Sequence, residues 1–558
     1  MTTQTLRRIA VAATAITLAL NGVPAADPSP TADPSPTADQ TPAAEPQGPP
    51  PVELGLREAV YMTVERNLDI QVARLDPRQR EQEIIISQST FDPTAFGEVS
   101  RSERKSRATS AFSSTSSSAD TFNGGASKFF ATGASATLSW NNIRSDQQLG
   151  TASFQFENPT YDSNLRFSFT QPLLKGWMAT AAKTGILITR NNLTVSRSQV
   201  RQKTENFVLV ATRAYWTLAA EIANLKVARE SLDLAQSLLK LNRAKVEVGT
   251  LAPIEITQAE AGVASREEAV IVAENQIRTA EDALRLVLNP ARDSDLWNRP
   301  IVPKEEPRFD PVDVDLQAEV AAALKNRPEL EQQKIRLQNL ELQAEVDRAA
   351  YRPQVDFVGA YGLSGTAGDT PGGNNFVACT AGSPNCVIDL SGDGTADSKV
   401  VFVQPVNQGF SDAWSQIGHW DLPSWSVGVQ ASYPIGNRAA KATYARARIV
   451  VEQGRLELDN SEQRIEIEVR NFVRQVQTNA KRVQAARVNS DLQRKKLEAE
   501  QKRFQYGMTT SFQVLIFQND LTGAQSAVIS AVLDYNKSLV DLAAASGTLL
   551  QKQGIEVE

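Results

Sequence analysis

The chain has 558 residues with 6% aromatics and a mean hydropathy of −0.30, a balance that suits long polar-faced helices better than several compact cores. Its formal charge of −6 is spread over interspersed acidic and basic residues, leaving no basic stripe for nucleic acid to follow. The only histidine is His419, and no Gly-x-Ser-x-Gly turn, phosphate-cradling glycine loop or metal-ligand cluster occurs, so neither catalysis nor a metal or cofactor is expected.

Arg7-Arg8, an apolar stretch from Ile9 to Leu20 and the small residues of Val23-Pro24-Ala25 predict a signal peptide over 1–25, and hence an exported protein. No cysteine follows to carry a lipid, and no later apolar run reaches the roughly 18 residues of a helical span, so any membrane-crossing part must be built of strands. Residues 26–51 hold Ala26-Asp27-Pro28-Ser29-Pro30-Thr31 and an immediate copy of it, a composition that predicts a disordered, Pro-rich linker.

From Val52 the chain states one pattern twice, as a first repeat over 52–310 and a second over 311–550, before a short tail at 551–558. Leu56-Arg57-Glu58-Ala59 through Ile70 align with Leu316-Gln317-Ala318-Glu319 through Leu330 without a gap. Leu54 to Asn67 predicts a short helix, and Asp69 to Ser89 a longer one stopped by Asp92-Pro93.

A strand follows over 164–170, with Leu165, Phe167 and Phe169 on one face and Arg166, Ser168 and Thr170 on the other. Its counterpart alternates Trp425, Val427, Val429, Ala431 and Tyr433 with Ser426, Gly428, Gln430 and Ser432, over about the ten residues a tilted strand needs to cross a bilayer. Val355, Phe357 and Gly359 mark the other strand of the second repeat, while Pro93 to Arg101 and Ala134 to Trp140 compete for that role in the first. The Ser-rich Ser102 to Gly133 and the Gly-rich Gly362 to Leu422 read as long polar loops of a β-barrel or as disordered insertions. Cys379 and Cys386, close together in an exported chain, point to a local disulfide.

Two proline-free helical stretches come next, Lys175 to Val248 and Ala439 to Tyr506, each turning at a glycine and returning as a shorter helix. The returning helices keep a seven-residue repeat, Val263, Arg266, Val270, Ala273, Ile277, Ala280, Leu284 and Val287 in the first and Leu521, Ala524, Val528, Ala531, Tyr535, Ser538, Leu542 and Ala545 in the second. Steps of three and four with small residues predict left-handed coiled-coil seams. A duplicated unit that cannot bury its own face usually buries it against further copies.

The ordered set resembles the TolC-like outer-membrane efflux proteins over roughly Val52 to Leu550. The residues that carry the resemblance are the opening helix ending in Arg66-Asn67-Leu68-Asp69 or Asn326-Arg327-Pro328-Glu329-Leu330, Gln171-Pro172-Leu173-Leu174 before the first long helix, and the glycine turns at Gly249 and Gly507. The resemblance implies a mainly α fold with a membrane β-barrel part. In it, a homotrimer sets long helical hairpins into a periplasmic α-barrel tunnel, and four strands per protomer into a 12-stranded barrel in the outer membrane of a Gram-negative bacterium. It also implies partners, a periplasmic adaptor and an inner-membrane transporter, docking at the turns Gly249, Thr250, Leu251, Gly507, Met508 and Thr509.

Glu255 falls where the family carries an acid that pins the tunnel tip shut, whereas Gln513 and Ile516 replace its inward acids and Phe504 a gate tyrosine. Beside Glu255 as a candidate gate, Phe504, Gln513 and Ile516 either form a constriction of apolar and amide groups facing the axis or, for Phe504 and Ile516, simply pack in the coiled coil. The expected function is a passive exit duct for small molecules or proteins in a tripartite efflux pump or type I secretion system. The alternative is a non-conducting exported coiled-coil stalk or a periplasmic adaptor.

Overall fold

The computed structural model describes residues 50–107, 114–149, 157–370, 372–380, 383–384, 386–388, 395–396 and 398–555. The expected signal peptide, the Pro-rich linker apart from Pro50 and Pro51, and residues 556–558 of the tail lie outside them. Pro51–Glu558 forms one compact unit.

In chain order this unit runs β1 (Val52–Leu54), α1 (Leu56–Arg66), α2 (Leu68–Ala73), α3 (Leu75–Gln88), β2 (Thr94–Lys105), β3 (Ser114–Phe129), β4 (Ser135–Leu149) and β5 (Thr160–Pro172). The first long hairpin is α4 (Thr180–Glu247) and α5 (Ile254–Leu288), followed by α6 (Asp295–Asn298) and β6 (Ile301–Pro303), which pairs in parallel with β1. The second half begins with α7 (Leu316–Asn326), α8 (Pro328–Ala350), β7 (Gln354–Gly368), β8 (Gly373–Ala378) and β9 (Ser398–Val403). It continues through α9 (Phe410–His419) and β10 (Leu422–Ser432) to the second hairpin, α10 (Arg438–Gln505) and α11 (Ser511–Ala545), and ends in α12 (Leu549–Lys552).

Both outgoing helices have 68 residues and both returning helices 35. At about 1.5 Å per residue the longer ones reach about 100 Å. Every position of the two predicted seams on α5 and α11 is buried or half-buried, because the 3.5-residue period keeps one stripe facing the partner helix. The helices lie in the order α5, α4, α11, α10. Nearer the sheet, α3 packs beside α4, and α8 fills the space between α4 and α10.

The duplication reappears in the joints between long and short helices. Asn67 accepts from the amides of Asp69 and Ile70 and donates through Nδ2 to the Val287 carbonyl near the end of α5, at 3.0 Å. Arg327 stands at the matching point of the second copy, donating through Nε to the Ala545 carbonyl at the end of α11 (2.7 Å) and through Nη1 to Glu468 (2.8 Å). Each contact seats a short helix on the end of a returning one by satisfying a carbonyl that the helix end leaves free.

The main sheet is antiparallel in the order β10-β7-β5-β4-β3-β2. The sheet thus holds six strands where four per protomer were expected for the barrel, because the two first-half candidates are both strands (β2 and β4) and the Ser-rich stretch between them is β3. The alternation that would have revealed β3 is faint, since its apolar side offers little more than Phe122, Gly124 and Ala126. Residues 108–113 of that stretch lie outside the described ones. The Gly362–Leu422 segment likewise holds the end of β7, the β8–β9 pair and α9 rather than only loop.

The apolar side predicted from Leu165, Phe167 and Phe169 is continuous with Val427, Val429 and Trp425, which are exposed at 64%, 63% and 76%. α9 lies on this same side. Its Trp414 Nε1 donates to Asn142 Oδ1 at 2.9 Å and Phe410 meets Phe122 and Tyr161 edge to face. A Cβ on Gly365 would stand 1.9 Å from the Ala413 carbonyl oxygen, so only glycine lets the helix lie this close. No described helix is long and apolar enough to cross a membrane.

Two outcomes follow. Asn67→Ala and Arg327→Ala should each cost about 1–2 kcal/mol, and their effects should add, as a lowered thermal midpoint by far-ultraviolet circular dichroism would show. Burial pushes the Glu205 carboxyl in α4 up from 4.5 to about 7, with Glu329 adding to the shift and Arg201 and Arg327 opposing it. A carboxyl raised on folding contributes its stability below the unfolded value and loses it as pH rises through the folded one. The thermal midpoint should therefore fall between about pH 4.5 and 7, and Glu205→Gln should flatten that fall.

Candidate functional site

The two turns between long helices lie side by side at the end of the unit remote from the sheet, because α4 and α11 pack along their lengths. Each is built the same way. Gly249 and Gly507 adopt φ of +75° and +73°, where a side chain would strain the backbone. The next amide closes the turn, Thr250 N to the Lys245 carbonyl at 2.8 Å and Met508 N to the Arg503 carbonyl at 2.9 Å.

Side chains then pin one turn to the other. The Lys245 ammonium donates to the Phe504 carbonyl at 2.8 Å and sits 4.2 Å from the centre of the Phe504 ring, so one cation serves as hydrogen-bond donor and ring partner. Glu255 accepts from the Ser511 hydroxyl, joining the start of α5 to the start of α11. Asn242 Nδ2 holds the Glu255 carbonyl at 3.2 Å from the other side.

Higher up, Arg266 is 6% exposed in the seam and donates to Ser231 on α4 (3.2 Å), to the Gly262 carbonyl (2.8 Å) and to Asn519 on α11 (2.7 Å). Burial lowers its pKa. All of its guanidinium nitrogens are thus engaged, which is what allows a cation inside a coiled coil.

Of the residues singled out from sequence, Gly249, Thr250, Gly507 and Met508 are exposed at the turns, with Leu251 and Thr509 half-buried beside them. Glu255 is in the pinning contact. Gln513 and Ile516 are half-buried on the first turns of α11, where the Gln513 amide donates to the capping Thr510 hydroxyl. Phe504, 2% exposed, packs with Leu238, Leu497, Val514, Leu515 and Leu521. Its ring thus lies within the packed cluster, under the Lys245 ammonium. Cys379 and Cys386 are joined in a disulfide, far from the turns in sequence.

Sequence reading passed over Lys245, Ser511 and Arg266 as functional. A basic residue in a helix's last turn and a serine at a helix start have ordinary explanations, and only their meeting across hairpins distinguishes them. It also passed over the apolar cap of the turns, where Val248, Ile254, Tyr506 and Phe512 are all more than half exposed. Among the described residues no group of acids, histidines or cysteines is placed to hold a metal ion.

The profile of the outer membrane efflux proteins matches residues 130–290 and 320–548. The fold is similar to that of the Campylobacter jejuni CmeC outer membrane channel, with TM-score 0.59, 15% identity and coverage of 88% of this chain and 86% of that one. It is also similar to VceC, an outer membrane protein of Vibrio cholerae (TM-score 0.59, 13% identity, 88% and 96% covered). The open state of the Neisseria gonorrhoeae MtrE outer membrane channel matches with TM-score 0.51, 16% identity and coverage of 88% and 89%. No curated protein matches the sequence.

Lys245→Met removes the donor to Phe504 and the charge over its ring. Amide hydrogen exchange at both turns should quicken about tenfold, while exchange in the middle of α4 and α10 stays unchanged.

Proposed function

This chain belongs to the outer membrane efflux protein family, and from that premise we propose that three copies form the exit duct through which an inner-membrane transporter and a periplasmic adaptor expel their cargo. It is an outer-membrane transport protein and not an enzyme. The observation that carries the trimeric duct is a match between two kinds of open edge. β10 leads into α10 and α3 leads into β2, so the free strand edges stand over the two outer flanks of the helix array.

Those flanks display Ile271, Val272 and Leu286 on α5 and Ile467, Val488 and Leu492 on α10, each at least half exposed. An unpaired strand edge is not tolerated in hydrocarbon, and apolar flanks call for helical partners, so neighbouring copies complete both layers at once. The water-facing side of the sheet carries Arg166, Ser168, Asn141 and Gln430, which suits a filled lumen. Movement of cargo is passive here, because nothing in the chain binds a nucleotide or a metal by sequence pattern.

The exposed turns, with Gly249, Thr250, Leu251, Gly507, Met508 and Thr509 flanked by Tyr506 and Phe512, are the adaptor's docking surface. An apolar cap on a solvent-facing tip is explained by a partner that covers it. The Glu255–Ser511 contact keeps the tip closed from within the protomer, and Gln513 stands next to it.

Planar-bilayer conductance and native mass of one detergent-purified sample test the reading. A trimer with discrete channels is expected, and a water-soluble coiled coil would overturn it. In the same assay Glu255→Ala and Gln513→Ala should raise open-channel conductance several-fold. If both leave it unchanged, neither residue gates the tip.

A further inference from the structure

Two of the six strands of the main sheet have no helix of their own. β2, β5, β7 and β10 each join a helix at the end nearer the hairpins, whereas β3 and β4 are connected only to other strands and stand between β5 and β2. They could be a flap lying off the wall or part of the wall itself, and the register decides.

One cross-strand row runs Ala95, Ala126, Leu138, Phe167, Tyr361, Trp425, without a charge across all six strands. The row three residues away, on the opposite face, runs Glu98, Asn123, Asn141, Asn164, Ser364 over five of them, polar throughout. β3 and β4 therefore keep the same apolar and polar sides as the strands that must line the duct. On β3 the apolar side is bounded by Lys128 and Asp120, eight residues apart. At about 3.3 Å per residue that is roughly 26 Å along the strand, or about 20 Å of height at a tilt of about 40°, most of the apolar band of about 25 Å on outer-membrane barrels. Asp120 pairs there with Arg101 (3.6 Å) and Arg144 (3.4 Å), a charged rim in register across β2, β3 and β4.

The opposite end of the hairpin is fastened to both neighbours. The Thr132 carbonyl accepts from Gln171 Nε2 at the end of β5 (3.1 Å) and from the Met178 amide before α4 (2.9 Å). Phe129 stacks on Phe91, just ahead of β2, with ring centres 5.7 Å apart. A flap would need none of these contacts.

We propose that β3 and β4 are wall strands, so that the closed barrel is built from three six-stranded sheets and has eighteen strands, with the β2 edge of one copy paired to the β10 edge of the next. The inference rests on the trimeric duct. Barrel width grows roughly linearly with strand number, so at equal tilt this barrel is about one and a half times as wide as a 12-stranded one. The tunnel below it still has the same helices per copy. The extra width is then confined to the membrane part.

Cysteine pairs test which strand meets β10 across the seam. With Cys379 and Cys386 bonded to each other, no described native thiol competes. Ser426→Cys or Gln430→Cys is combined with Glu98→Cys, Ser100→Cys or Ser102→Cys on β2, or with Thr137→Cys or Ser139→Cys on β4, and oxidised in whole cells. Disulfide-linked oligomers from β2 pairs and none from β4 pairs are expected, together with eighteen strands in a transverse section of the barrel density by electron cryomicroscopy. Cross-links from β4 pairs, or twelve strands in a three-fold particle, would overturn the eighteen-stranded wall while leaving the trimeric duct. A monomeric native mass would overturn both.

Discussion

Unpaired backbone at the two sides of the sheet is the constraint on which the rest of the structure depends. Among the described residues β2 and β10 each have one edge without a partner strand, and a strand surrounded by lipid cannot leave its amides and carbonyls unsatisfied. The helical layer poses the same problem in a milder form, as an array whose outer members show apolar residues to solvent. Helices and strands follow one another in matching order, so a single rotation of copies answers both needs. In the proposed trimer, closure in the membrane and closure of the tunnel are thus one requirement rather than two.

The duplication shows what such an architecture must keep and what it can change. The hairpins are equal in length in both halves, because coiled-coil seams that run together over many turns must stay in phase. The joints at Asn67 and Arg327 use different side chains for the same purpose, to meet a carbonyl at the end of the returning helix. The sheet is where the halves diverge, with four strands from the first and two from the second. Adding a hairpin between β2 and β5 keeps every neighbour antiparallel, so a strand pair can enter the wall without disturbing the in-and-out alternation of the others.

Chemistry at the turns is sparse and depends on contacts between hairpins far apart in sequence. The glycines at 249 and 507 were legible because a left-handed turn after a long helix has few other solutions. Glu255 was legible only through family resemblance. Lys245, Ser511 and Arg266 were not legible at all, since each has an unremarkable local reading and acquires its role from a partner on the other hairpin. For Phe504, read from sequence as constriction or packing, the structure adds its neighbours in the seam.

Periodicity carries most of what the sequence by itself determined: the twofold repeat, the extent of the two outgoing helices, the seam residues, the turns, and the strong strands β5 and β10. Each of these is a local pattern repeated often enough to rise above chance. Tertiary structure decided what no period records: the pairing of β3 between β2 and β4, the placement of α9 on the apolar side of the sheet, and the pins between the turns. Glycine, serine and alanine can serve loop or strand equally well, so in such segments hydrogen bonding to a neighbouring strand, and not side-chain pattern, selects the conformation.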